Sequence, residues 1–408
     1  MSECLVTSES VTEGHPDKLC DQISDGILDA YLKEDPDARV AIETMASKDI
    51  IMIAGEVTSE VEVDVIETAR KVIKSIGYCD EKMGLDDKKC LILTNINQQS
   101  GDIARGVDWQ ETEQPGLWVP SSRGCRWKRT GNNKVIKELG AGDQGIMYGY
   151  ACDETPNFMP MSIDLASKLA MKLGQLRKTN QVDWLYPDGK TQVTIRYDEK
   201  GQPQEINSVV VSVQHRNGVD NEELYETILK EVIFSVIDIK WITSRTKFHI
   251  NPTGRFVIGG PMADTGLTGR KIMVDTYGGV GKHGGGAFSG KDPTKVDRTA
   301  AYMARYVAKN IVAAGLAQRC ELSLAYAIGL PEPEAVCVNT FGTERIDIEC
   351  LERMIMKCFS FSVSDMIATL QLNRPQYLKT AAYGHFGRED QGFGWEKTDQ
   401  VELLLGEI

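Results

Sequence analysis

The chain has 408 residues, 41% of them hydrophobic, with 46 Lys and Arg against 59 Asp and Glu, a formal charge of −13. At about 150 residues per domain this is a folded protein of two or three domains, and disorder is excluded as the default for any long stretch. The acidic balance disfavours non-specific nucleic-acid binding, no apolar run approaches the ~18 residues that span a bilayer, and the polar N-terminus lacks the apolar core of a secretory signal.

The predicted elements, in chain order, begin with a helix over 16–32, where Leu19, Ile23, Ile27 and Tyr31 recur every four residues. Strands over 39–45 and 50–57 flank a Ser47-Lys48-Asp49 turn, and an amphipathic helix over 61–76 and a short strand over 90–96 follow. The second series has a helix over 162–177, strands over 191–197 and 208–214 around Lys200-Gly201, a helix over 222–237 and a strand over 247–250. The third has a helix over 293–314, strands over 321–328 and 335–340 around Pro331-Glu332-Pro333, and a helix over 349–372. Helix, hairpin, helix recurs three times, which predicts an α/β fold of α+β-type units, three similar domains whose sheets pack together. The domains fall at 1–110, with interleaved segments from the C-terminus, at 140–260 and at 261–408, and residues 111–139 form an inserted loop.

The ten cysteines form no C-x-x-C pair and no cluster with the five histidines. They read as reduced thiols of a cytoplasmic protein, and zinc is not indicated.

The sharpest chemical signal is the glycine-rich run Gly284-Gly285-Gly286-Ala287-Phe288-Ser289-Gly290-Lys291. Asp292 suits a helix N-cap and Pro293 the first helical position, so the run leads into free N–H groups with Lys291 and Lys295 beside them, an anion site. Gly285 to Lys291 has the G-x-x-x-x-G-K spacing, but Asp292 stands where a Walker A loop needs Ser or Thr for magnesium, so a P-loop NTPase is rejected. Asp297 is a candidate magnesium ligand, since magnesium bound with phosphates takes one or two protein carboxylates. Gly14-His15-Pro16-Asp17-Lys18 repeats the pattern, with His15, Asp17 and Lys18 near the start of a helix. Asn251 to Phe256, Gly259-Gly260-Pro261 and Gly269-Arg270-Lys271 add glycines and cations, and Gly142-Asp143-Gln144-Gly145 and Asp188-Gly189-Lys190 add carboxylates and a lysine. Spacing and chemistry alone indicate a magnesium-dependent enzyme acting on a nucleotide or polyphosphate, with no covalent nucleophile and the second substrate not visible.

Ser8 to Lys18, Gly140 to Gly145, Asn251 to Gly279, Gly284 to Asp292 and Ala381 to Arg388 closely resemble the S-adenosylmethionine synthetase (methionine adenosyltransferase) family. The resemblance runs nearly end to end. It implies three α/β domains related by a pseudo-threefold axis, and dimers with sites between subunits, commonly paired into tetramers. The implied reaction joins ATP and L-methionine: the sulfur attacks ribose C5′, and the expelled triphosphate is hydrolysed to phosphate and diphosphate, with Mg2+, two per site, and K+. By the same resemblance His15, Lys190, Arg270, Lys271 and Lys291 are the phosphate-side, catalytic residues. Asp17 and Asp297 match magnesium ligands and Glu43 the potassium site. Glu56, Gln99, Asp264 and Lys295 match methionine contacts, and Asp143, Asp188, Arg255, Phe256, Asp264 and Ala287 fall at nucleotide positions.

The departure from the family lies between Asp108 and Gly140, where Trp109 to Leu139 replaces a short connection that gates the site in the family. This segment holds Trp109, Trp118 and Trp127 together with Arg123, Arg126, Lys128, Arg129, Lys134 and Lys137, with no acid from 121 to 137. It reads as an enlarged lid, a docking surface for an acidic partner or for the protein's own acidic body, or a disordered insertion. A catalytically silent, partner-binding subunit is the alternative from another class.

Overall fold

The computed structural model describes residues 4–98 and 139–408, with four short strands between them known by backbone alone. Gln99 and most of the Trp109 to Leu139 insertion therefore lie outside the described residues.

Three hairpins seed three sheets. Alternating apolar residues build the first from Arg39–Ser47 and Ile50–Thr58, turning through Lys48 in the left-handed region (φ 53°). The helix Val65–Ile76 then returns the chain to Leu91–Asn97, which pairs parallel with Ile50–Thr58. The helix starts at Val65, later than the spacing predicts, because Asp64 caps it by accepting the Glu67 N–H at 2.8 Å.

The second sheet pairs Leu185–Tyr197 with Pro203–His215, and Lys247–Ile250 joins in parallel. The first of these strands begins six residues before the predicted start, with a register shift between Leu185 and Gly189 that admits Pro187. The expected single helix over 222–237 is Asn221–Thr227, a π-helical stretch Ile228–Ile233, and Phe234–Val236.

The third sheet pairs Arg319–Tyr326 with Ala335–Asn339. The predicted helix over 349–372 is two, Ile348–Cys358 and Val363–Leu370, the second restarted by Ser362, whose Oγ accepts the Asp365 N–H.

Each sheet is completed by an antiparallel strand from a remote part of the chain. Gly266–Leu267 pairs with Arg39–Ser47, Cys4–Val11 with Leu185–Tyr197, and Gly145–Cys152 with Arg319–Tyr326. The units are thereby stitched together, and one apolar core runs through the first and third while the second keeps its own. The helix Val296–Ala313 lies in the shared core and is buried nearly all round, so its cations are paired: Arg298 with Asp25, Arg305 and Lys309 with Glu396.

The first sheet hides one face under the helices Pro16–Glu34 and Val65–Ile76 and leaves the other open. Cross-strand rows on the open face run Ser47, Ile50, Leu91, then Met45, Met52, Leu93 with Leu267 beside Met45, then Glu43, Ala54, Asn95, then Ala41, Glu56, Asn97. Half of the face is apolar and exposed and the other half polar.

Within the insertion, Thr112–Glu113 pairs with Val135–Ile136 and Leu117–Pro120 with Trp127–Thr130, two nested antiparallel ladders. Among the described residues no helix is long and apolar enough to cross a membrane.

Candidate active site

The helix Pro16–Glu34 begins where the sequence places it, with Pro16 first and His15 as its N-cap; the His15 Nδ1 accepts the Asp17 N–H at 3.2 Å. Burial, then the charge of Lys271 and those of Lys190 and Lys18, push the imidazole down to about 3, against the pull of Asp17. The ring is neutral, and with Nδ1 accepting, its proton sits on Nε2, a donor. Asp17 is buried, yet its carboxyl stays below the ordinary range. Burial would raise it, but Lys271 at 2.5 Å, the Leu267 N–H at 3.0 Å and the Lys271 charge outweigh that. Arg270 stands 3.8 Å from the same carboxylate.

Asp188 accepts the Gly260 N–H at 2.8 Å on one oxygen, and its other oxygen is buried with no partner among the described residues. Burial pushes this carboxyl up to about 6, against the Gly260 N–H and Lys190, with the exposed Asp264 pushing the same way as burial. His15, Asp17, Asp188, Lys190, Asp264, Arg270 and Lys271 thus form one cluster. Lys18 is not part of it: it is fully buried and paired with Asp21 and Asp275, so its role is structural, contrary to the expectation that it projects into the site.

The glycine-rich run forms a second cluster. Gly290 O accepts the Ile42 N–H and the Asp292 N–H donates to Val40 O, each at 3.0 Å, so Lys291 is clamped beside Ala41 as a β-bridge. Gly290 sits at φ 81°, and a Cβ there would lie 1.9 Å from the Ile42 carbonyl, so only glycine fits.

The helix after it starts at Val296, not at Pro293, and Asp292 is not its N-cap. Its buried carboxylate instead accepts from Val40 N–H at 2.7 Å, Thr294 N–H at 2.9 Å, the Thr294 hydroxyl at 2.7 Å and Lys295, which ties the tight 292–295 turn to the first sheet. Lys291 pairs with Asp297 at 2.7 Å. Lys291, Lys295, Asp297, Asp143 and Glu56 line a cavity of about 380 Å3, and Glu43, Glu56, Ala287 and Lys291 an adjoining one of about 310 Å3. Both open on the polar half of the exposed sheet face.

Two buried supports escaped the sequence. Asp25 accepts the Gly290 N–H and pairs with Arg298, which also donates to Lys291 O, fixing the turn at Gly290 and Lys291 from behind. Tyr78, buried, donates to Gly14 O and steadies the turn before His15. Neither is signalled by a motif, because each acts through a partner remote in the chain. Arg255 is exposed and Phe256 half-buried, in a loop over 251–259 that leaves the second sheet.

The arrangement is two cation-rich clusters, each with a carboxylate already paired to a lysine: Asp17 with Lys271 and Asp297 with Lys291. Among the described residues no group of three or more His, Cys, Asp or Glu could hold a metal unaided. Single carboxylates suit a magnesium ion that takes most of its oxygens from phosphate and water.

Three family models match in succession: S-adenosylmethionine synthetase N-terminal domain over residues 3–101, central domain over 138–256 and C-terminal domain over 258–397. The chain is 58% identical to S-adenosylmethionine synthase 1 of Rhodospirillum rubrum over 404 residues, 99% of this chain and 98% of that one. It is 56% identical to S-adenosylmethionine synthase 1 of Rhodopseudomonas palustris over 405 residues, 99% of each. Coverage so nearly complete on both sides makes these chains about as long as this one, so a segment as long as the insertion is not peculiar to it.

Proposed function

The chain belongs to the S-adenosylmethionine synthetase family and makes S-adenosylmethionine from ATP and L-methionine, and from that premise we propose how its residues divide the work. The single observation that carries the assignment is the pairing of Asp17 with Lys271 and of Asp297 with Lys291. An arriving triphosphate takes over the lysines as its counter-ions, and the two released carboxylates become free to hold Mg2+. Magnesium there would neutralise charge on the leaving triphosphate.

His15 donates Nε2–H to a phosphate oxygen, and Lys190, Arg270, Lys271 and Lys291 stabilise the charge that develops as the C5′–O bond breaks. The methionine sulfur needs no base, since a thioether is nucleophilic without losing a proton. Water then cleaves the bound triphosphate to phosphate and diphosphate, held by the same cations. Arg255, Phe256, Asp143, Asp188 and Ala287 take the nucleotide, Glu56, Gln99, Asp264 and Lys295 the methionine, and Glu43 K+. The three-domain division at 1–110, 140–260 and 261–408 is part of the same proposal, as is a cytoplasmic location, supported by nine described cysteines that are all free.

The site is completed by a second copy of the chain. The apolar half of the first sheet's open face, with Leu91 52% and Leu93 44% exposed, supports a two-fold dimer in which the same patch meets itself. The polar half and its cavities continue from that patch, so each dimer brings the clusters of two subunits together, and dimers pair further into tetramers. The enzyme incubated with ATP, methionine, Mg2+ and K+ is expected to release S-adenosylmethionine, phosphate and diphosphate in equal amounts. ADP in place of diphosphate would refute the triphosphate step.

A further inference from the structure

We infer that His215 is a positioning residue for the nucleotide, holding the backbone of Phe256 through its imidazole; this rests on Arg255 and Phe256 being nucleotide contacts. The strand Pro203–His215 ends in three consecutive residues that each grip the loop over 251–259. The Val213 N–H donates to Asn251 Oδ1 at 2.8 Å and Asn251 Nδ2 donates back to Val213 O at 3.0 Å. Gln214 Nε2 donates to Val257 O at 3.1 Å. His215 makes the third grip, on Phe256 itself: its N–H donates to Phe256 O at 2.9 Å, and the Phe256 N–H donates to His215 Nε2 at 3.2 Å.

This geometry dictates the tautomer. A backbone N–H only donates, so Nε2 carries no proton, and the proton sits on Nδ1, which lies 2.9 Å from the Arg216 carbonyl, an acceptor. Both ring nitrogens are spent inside the protein and the side chain is buried, so His215 touches no ligand. Its effect passes through the Phe256 backbone to the half-buried Phe256 ring and the exposed Arg255 side chain. Pro252 to Arg255 are exposed and belong to no helix or strand, so the grips by 213–215 set where the loop stands.

Two substitutions separate the acceptor from the bulk of the ring. His215→Phe keeps a planar ring and removes the acceptor; His215→Gln offers its amide oxygen where Nε2 lies. Steady-state kinetics on the full-length enzyme, with ATP and methionine varied separately, are expected to show His215→Phe raising KM for ATP about tenfold, with KM for methionine within about twofold of wild type, and His215→Gln restoring most of the loss. The inference is overturned if His215→Phe keeps the wild-type KM for ATP, if both KM values rise in parallel, or if Gln does no better than Phe. Arg255→Ala and Phe256→Ala, run alongside, separate two failures. If they raise KM for ATP while His215→Phe does not, the positioning role alone falls; if none of the three does, the nucleotide assignment falls and takes the inference with it.

Discussion

Removing Lys271 tests the carboxylate–lysine pairing at its most exposed consequence. In Lys271→Met the Asp17 carboxylate, 2% exposed, loses a partner at 2.5 Å and keeps only the Leu267 N–H and the more distant Arg270. Breaking a buried ion pair from one side costs about 3–5 kcal/mol. Lys271 keeps 16% of its side chain in solvent and the Leu267 bond survives, so about 2–3 kcal/mol is expected here.

Asp17→Asn is milder, about 1–2 kcal/mol, because the lysine left behind can reach water along its flexible stem. The double variant should lose less than the sum by about 1 kcal/mol. The pH dependence differs in sign as well. In the wild type Asp17 is held below its ordinary value, so its contribution to stability is present above that value and is lost as pH falls through the folded one. In Lys271→Met burial prevails and the folded carboxyl lies above its ordinary value, so the variant's deficit shrinks as the solution is acidified. Denaturant unfolding in magnesium-free buffer at several pH values measures all three variants. An Asp17→Asn cost equal to or above that of Lys271→Met, with additive losses, would refute the pairing as the source of the energy.

Asp297→Asn should abolish S-adenosylmethionine formation while leaving circular dichroism and the unfolding midpoint near wild type, since Asp297 keeps 14% of its side chain exposed and its partner Lys291 26%, so the lysine left behind reaches solvent; retained turnover would remove it from the site. Met52→Glu places a charge in the middle of the exposed apolar rows and should yield a monomer without turnover by sedimentation and product assay; a stable, active dimer would move the interface elsewhere. Gly290→Ala should destabilise by more than about 1 kcal/mol, because the added Cβ meets a backbone carbonyl rather than a side chain that can swing away; an unchanged unfolding midpoint would contradict the clamp around Lys291.

The hairpins were legible because their signals are local. Residues 39–47 and 50–58 alternate buried and open positions around the two-residue turn Lys48-Asp49, and 247–250 alternates Lys and His with Phe and Ile. The completing strands were not, because Cys4–Val11, Gly145–Cys152 and Gly266–Leu267 find their partners 179 or more, 167 or more and 220 or more positions away in the ladders, and nothing within them announces it. Tertiary pairing also overrode local rules at Asp292. Its N-cap chemistry is real but spent on the 292–295 turn and on Val40, so the helix begins at Val296.

In the candidate site the glycine run, the lysines and the carboxylates Asp17 and Asp297 were singled out by residue type and spacing, and the structure pairs each carboxylate with a lysine. Lys18 was misplaced because sequence does not reveal burial, and its charge goes to Asp21 and Asp275. His215 passed as an ordinary histidine because its partner, Phe256, lies 41 residues on.

Whether one site draws on two subunits is decided most directly by co-expressing Lys271→Met and Asp297→Asn chains, each inactive as its own homodimer. In a mixed dimer one site carries both substitutions and the other neither, so with random pairing about a quarter of wild-type S-adenosylmethionine formation should return. If each chain instead holds a complete site of its own, the mixed preparation will form no more product than the two inactive homodimers.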